Sequence, residues 1–372
     1  NLTNTLAADS LMRAFGRQGR FIQPALASLD SAGLRAFFAE LGIATACPDG
    51  EHVYPASNRA RDVRDALWSE CKKLGVAIRM GWQVTELVTA AGEAAHDAAA
   101  TRIAGVQTNH GFVACRCVIL ASGGKSYPTL GATGAGYELA KHVGHSIVSP
   151  IPALVGLVTK EGWPGRLAGA SVASARVWID MPKASKIGVT GDVLFTHNGI
   201  SGPVVLDISG DVAEMLEANQ IVQLRLELVA GRNEKSWLAD LDRWAQSDGT
   251  KLIRSMLVKY VPAGLVDVLL KKAGVAAESR CAHLDRAARN AIASLLAGAP
   301  LAVTRTEGFD KAIVTRGGVS LKEVNPRTLE SRCVSGLFFA GEVLDLDGPC
   351  GGYNLQWAFS SGQLAGESAG KK

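Results

Sequence analysis

Residues Gly336-Leu-Phe-Phe-Ala-Gly341-Glu342-Val-Leu-Asp345-Leu-Asp347-Gly-Pro-Cys350-Gly351-Gly352-Tyr353-Asn354-Leu-Gln356-Trp-Ala-Phe-Ser-Ser-Gly362 decide the fold. A short apolar run ends at Gly341, an acidic glycine-rich loop follows, and a helix opens near Asn354. Strand, close-approach loop and helix N-terminus converge on one place. A helix start presents unpaired N–H groups and a partial positive charge, which suits an electron-rich or anionic group.

Working outward, residues 30–42 read as a helix, with Asp30 or Ser31 as cap, Leu34, Phe37, Phe38 and Leu41 on one face and Gly42 as stop. Residues 58–74 form a second helical period that ends at Gly75. The pattern predicts strands at Val76–Met80 and Gln83–Val88, a small-residue hairpin tip over 90–101, and a meander through Ile103–Gln107 and Phe112–Leu120. After Pro150 the chain turns to short Val-, Gly- and Pro-rich strand runs through 229. Helical periods follow over 234–298, then strands over 301–321.

Composition sets bounds. The 372 residues suffice for two or three domains, and 41 glycines fit an α/β enzyme with tight turns. A net charge of +4, with no basic run, argues against a nucleic-acid partner. The seven cysteines contain no C-x-x-C, which points to reduced thiols and a cytoplasmic setting. No apolar stretch reaches membrane-span length. The sequence offers no metal cluster, nucleophile elbow or Walker loop.

The stretch GEVLDLDGPCGGYNLQWAFSSG resembles the signature of the aminoacetone-oxidase-like (YhiN/BaiN-like) FAD-binding flavoproteins, of the glutathione-reductase type. Ala121-Ser-Gly-Gly-Lys-Ser-Tyr-Pro-Thr-Leu-Gly-Ala-Thr-Gly-Ala-Gly136, Leu194–Pro203 and Ala312–Val319 resemble further family segments. The resemblance covers essentially the whole chain. It implies an α/β, Rossmann-like FAD-binding domain over 1–149 and 323–372. It also implies an inserted β-rich domain over 150–232 and 300–322, and a helical subdomain over 233–299. In the family, Asn1-Leu-Thr-Asn4 closes a segment one βαβ unit into the protein. The domain is therefore expected to be N-terminally truncated here, with the G-x-G-x-x-G turn for the pyrophosphate lying upstream.

The resemblance also implies a cofactor set. Glu342, beside Gly341, would hold the ribityl or pyrophosphate part of FAD. Gly351, Gly352, Tyr353, Asn354, Leu355 and Gln356 would line the pyrimidine edge of the flavin. Ala121, Ser122, Gly123 and Gly124 would let backbone pass beside it. Val84 would meet adenine, and Asn1 would end a flavin-contacting segment. His197, in the turn Phe195-Thr-His-Asn-Gly-Ile-Ser-Gly-Pro203, is a weak candidate proton donor. The implied function is a flavin-dependent oxidoreductase acting on a small organic substrate through N5, with NAD(P)H as partner and the inserted domains forming the substrate pocket. The alternative is a non-catalytic fragment that cannot retain FAD.

Overall fold

A computed structural model describes residues 1–91, 101–182, 184 and 187–372. The chain divides into two compact units, one made of Asn1–Ile151 with Val314–Lys372, the other of Pro152–Ile313.

The first unit is built on the parallel pair Val118–Leu120 and Leu337–Phe339, with Leu337 opposite Val118 and Phe339 opposite Leu120. Neither run alternates in polarity, as is usual for parallel strands, although Ile119 is 39% exposed. Leu337, Phe338 and Phe339 have no exposed surface. The last helix, Tyr353–Ala369, packs on this pair through Trp357, Leu364 and Ala365. Two hydrogen bonds stitch it to the end of the strand: Trp357 Nε1 donates to the Gly341 carbonyl at 3.2 Å, and the Gly341 amide donates to Ser361 Oγ at 2.8 Å. An antiparallel meander of Val84–Ala91, Thr101–Thr108 and Gly111–Ala114 and a small sheet of Thr3–Asn4, His52–Pro55 and Thr45–Ala46 complete the strands that frame the site.

The helix Ser31–Glu40 forms where its cap and apolar face place it. Asp30 accepts from the Gly33 amide at 2.7 Å, and Leu34 and Phe38 are buried. The second period becomes the helix Ala60–Lys73. The expected strand Val76–Met80 is not one. The segment runs without ladder partners, and Val76 and Met80 are 52% and 76% exposed. A strand exists only through its neighbour, and no described residue pairs with this edge. Of the hairpin tip expected over 90–101, residues 92–100 lie outside the described residues.

His145 illustrates how this unit satisfies a buried polar group. It is 3% exposed, with Nε2 at 2.9 Å from Ser331 Oγ, Nδ1 at 3.3 Å from the Ala140 carbonyl and its ring edge-on to Phe339. Ser331 Oγ already accepts from the Cys333 and Val334 amides, so its own proton goes to Nε2, and Nδ1–H is left for Ala140. The ring is therefore held neutral, and burial lowers its pKa. The unfolded chain takes up the proton near pH 6.5 and the folded one resists it. This contribution to stability is complete above that pH and is lost as pH falls below it. Melting temperature measured from pH 7.5 to 5 is expected to fall in the wild type and to fall less in His145→Gln.

The second unit is a closed barrel in the order Ser171–Ile179, Val189–Thr196, Gly199–Ser201, Leu157–Thr159, Ala299–Thr306, Val222–Glu227. The helices Glu234–Ser247, Ile253–Leu257, Ala263–Lys272 and Arg286–Gly298 share one core with it, through Trp237, Leu241, Leu269 and Ile292 against Val177, Phe195 and Leu224. Two features bear on the expected boundaries. The segment 233–299 has no separate core of its own. The strand Val314–Val319, expected in the inserted domain, pairs with Ile147–Ala153 and groups with the first unit.

Candidate active site

Three segments far apart in sequence meet at Glu342. The strand Leu337–Phe339 ends in a tight turn, Gly341–Val343, which brings the half-buried Glu342 carboxylate onto the amides of Thr315 and Gly124. Burial raises the carboxyl's pKa, against the opposing pull of those amide bonds. Thr315 Oγ1 accepts in turn from the Lys125 amide at 2.8 Å and the Ser126 amide at 3.2 Å. Position 124 has no room for a side chain, because a Cβ there would lie 2.4 Å from Thr315 Oγ1. Just before this knot, Ala121 and Ser122 are exposed.

The last helix opens at Tyr353. Gly352 has φ +89°, no side chain caps the helix, and its first turn carries no acidic residue. The double glycine, however, is required by the protein itself. A Cβ at Gly352 would lie 2.4 Å from the Thr3 carbonyl oxygen, and one at Gly351 would lie 2.9 Å from His52 Nε2. Asn4 Nδ2 also donates to the Gly351 carbonyl at 3.3 Å. Asn354 clamps the preceding loop: its Oδ1 accepts from the Gly348 amide at 2.8 Å, and its Nδ2 donates to the Gly348 carbonyl at 2.9 Å.

Gln356 spends its side-chain donor inside the protein, and its Oε1 is buried without a partner. Its Nε2 donates to the Leu29 carbonyl and to Ser360 Oγ, the side chain is fully buried, and its amide donates to the Gly352 carbonyl. Leu355, by contrast, is 46% exposed. With Asn1, Tyr54, Val63, Leu67 and Phe359 it lines an apolar groove of about 660 Å³ between the helix Ala60–Lys73 and the last helix. Val84 opens the meander opposite Thr108. His197 stands exposed in the second unit, at the turn between Val189–Thr196 and Gly199–Ser201.

Sequence reasoning missed Thr315, Tyr137 and the Arg316–Asp347 ion pair, 3.1 Å long. Tyr137 is 4% exposed, and burial and the nearby Glu342 and Asp345 raise its pKa. The Gly317-Gly318 pair was the available signal for the Thr315 segment. Nothing local in the sequence pointed to Tyr137. Among the described residues there is no cluster able to hold a metal ion and no helix long and apolar enough to cross a membrane.

A parallel strand pair, an acidic turn at the strand end and an uncapped helix start define a Rossmann-type nucleotide-binding architecture. The HI0933-like protein Rossmann domain matches residues 1–368. The chain belongs to this family of FAD-dependent oxidoreductases. It is 33% identical to the 3-dehydro-bile acid delta(4,6)-reductase of Clostridium scindens, over 100% of this chain and 88% of that protein. It is 29% identical to the ribosomal RNA dihydrouridine synthase of Haemophilus influenzae, over 92% of this chain and 80% of that one. Among solved structures, the quinol fumarate reductase FrdA chain of E. coli aligns with a TM-score of 0.49 at 15% identity. That alignment covers 99% of this chain, which spans 60% of the FrdA chain.

Proposed function

We propose that this protein reduces a carbon–carbon double bond conjugated to a carbonyl, using FAD as its resident cofactor and NAD(P)H as the source of hydride. The arrangement that carries the cofactor reading is Glu342 held on Gly124 and Thr315 at the end of the last strand, together with the uncapped start of the helix that follows. The substrate class is drawn from the relatives' names. A delta(4,6)-reductase of a 3-dehydro bile acid and a synthase of dihydrouridine both saturate a C=C bond that lies in conjugation with a C=O.

When bound, FAD supplies the hydride-accepting and hydride-donating ring. The chain's residues position and polarise it. Glu342 offers carboxylate oxygen to ribityl hydroxyls beside Gly341. The backbone of Ala121, Ser122, Gly123 and Gly124 runs alongside. Amides of Tyr353, Asn354 and Leu355 would face the electron-rich rim, with Gly351 and Gly352 setting their direction. Val84 and Asn1 keep the roles that the resemblance implies, against adenine and the flavin. The side chain of Gln356 drops out of the set. This arrangement fits the flavin end of the cofactor, because an uncapped helix start free of acidic residues suits a ring that gains negative charge.

The test is direct. Protein made from its full reading frame is expected to purify yellow and to release FAD on acid denaturation. It is also expected to oxidise NAD(P)H when given a conjugated steroid enone. Colourless protein that takes up no added FAD would support the alternative, a fold that does not retain the cofactor. A second reading, reduction of uridine within ribosomal RNA, is favoured by the synthase relatives. Dihydrouridine formed in unmodified ribosomal RNA, with no turnover of enones, would establish it.

A further inference from the structure

The loop that follows Gly124 has no part in the FAD reading, and the inference drawn from it rests on that reading. Its root is anchored. The amide and Oγ of the buried Ser126 lie 3.2 and 3.1 Å from Thr315 Oγ1, which also accepts from the Lys125 amide at 2.8 Å. Thr315 is fully buried, and its own amide donates to Glu342. The loop therefore springs from the same knot that holds the proposed cofactor carboxylate.

The next residue, Tyr127, has φ +55° and ψ +62°, in the left-handed region. That region is unfavourable for a bulky side chain, and Pro128 follows, before which a residue prefers extended backbone. Strain of this kind persists only where the surroundings impose it, and it gathers at ligand sites. The tip is closed by its own bonds. The Leu130 amide donates to the Tyr127 carbonyl at 2.8 Å, and the Gly131 amide to the Pro128 carbonyl at 3.0 Å. Two large side chains stand out from this turn, Tyr127 at 41% and Leu130 at 84% exposed.

The space beside them is open. A Cβ at Gly131 would meet nothing within 4 Å, and one at Gly123 would meet only Glu342 Oε2, at 3.9 Å. Apolar groups held on a closed turn lose little freedom when a ligand covers them. We infer that Tyr127 and Leu130 are specificity-determining residues for the proposed enone reduction. They form an apolar lip beside the cofactor carboxylate, and it packs on the fused rings that a steroid-like substrate carries beyond its reacting enone. The contact is one of apolar area, with no proton or bond exchanged.

The experiment titrates FAD-loaded protein, made from its full reading frame, with testosterone, a steroid enone, and reads the change in flavin absorption. Cyclohex-2-enone carries the reacting group without the fused rings, and the two are compared through kcat/KM. Tyr127→Ala and Leu130→Ala are each expected to weaken testosterone binding about tenfold, the worth of one apolar side chain no longer covered, with FAD retained. The testosterone preference in kcat/KM is expected to fall by the same factor. Tyr127→Phe is expected to restore most of the binding. Tyr127→Gly is expected to melt higher than Tyr127→Ala, because glycine accepts the left-handed backbone, and to bind testosterone no better. Unchanged testosterone affinity in both alanine variants overturns the inference. An equal fall for the two enones also overturns it, since the loop would then serve the reacting end or the cofactor. FAD-loaded wild type that binds no testosterone overturns it and leaves the cofactor reading standing. Wild type that takes up no FAD overturns both.

Discussion

Gly352→Ala is expected to destabilise the protein by about 2–4 kcal/mol, the sum of a left-handed backbone given a Cβ and a backbone collision. Gly352 sits at φ +89°, and the added carbon would lie 2.4 Å from the Thr3 carbonyl oxygen and 2.5 Å from its carbon. Neither atom can yield cheaply. Thr3 is paired with Val53, and the Leu2 amide donates to the Val53 carbonyl at 2.7 Å. The shift would pass into Gly351 and the helix start, so FAD uptake is expected to fall as well. A control lies in the same helix. Gly362 has open space around its Cβ position, so Gly362→Ala is expected to stabilise by about 0.5–1 kcal/mol through helix propensity. Denaturant melts of the two variants would check both signs. A neutral Gly352→Ala would mean that the strand Thr3–Asn4 does not press on the loop.

Glu342→Ala is expected to have the larger effect on the cofactor. The carboxylate accepts from the Thr315 and Gly124 amides, and its loss strands both at a cost of about 1–3 kcal/mol. In the proposed site the same group accepts from ribityl hydroxyls, and FAD affinity is expected to drop roughly 10- to 100-fold, the value of one or two charge-assisted bonds. Glu342→Gln keeps an acceptor oxygen and a similar shape, so it should recover much of the stability and less of the affinity. Calorimetric melting with and without FAD separates these contributions. Glu342→Ala protein that binds FAD like the wild type would remove this residue from the site.

The parts of this design that were legible in the sequence are local ones. The helix at Ser31–Glu40 announces itself through Asp30 and the spacing of Leu34 and Phe38, and the last strand and helix through an apolar run, a glycine-rich turn and a helical period. What escaped is set by distant partners. Val76–Met80 has the composition of a strand, but pairing is a property of two segments. The barrel places Leu157–Thr159 between Gly199–Ser201 and Ala299–Thr306, an order no local pattern encodes. At the site, Glu342 was readable from its place after Gly341, whereas its partners Thr315 and Gly124 come from two other parts of the chain. The double glycine also has a cause within the protein: the Thr3 carbonyl and the His52 imidazole stand where side chains at 352 and 351 would lie. Gln356 has a donor and an acceptor suited to a ligand, yet its Nε2 is taken up by the Leu29 carbonyl and Ser360 Oγ, while its buried Oε1 has no hydrogen-bond partner.

The first unit is discontinuous, and that has a consequence for biosynthesis. Val118–Leu120 leaves the ribosome long before Leu337–Phe339, with the entire continuous barrel unit translated between them. The barrel segment can complete its hydrogen bonding while still tethered to the ribosome, whereas the nascent first unit must wait, its apolar edge uncovered, until the final helix emerges. Stalled chains ending near residue 350, with the barrel unit outside the exit tunnel and the last strand still within it, should therefore show a protease-resistant barrel and a digestible N-terminal part, and such intermediates are where chaperone engagement is expected.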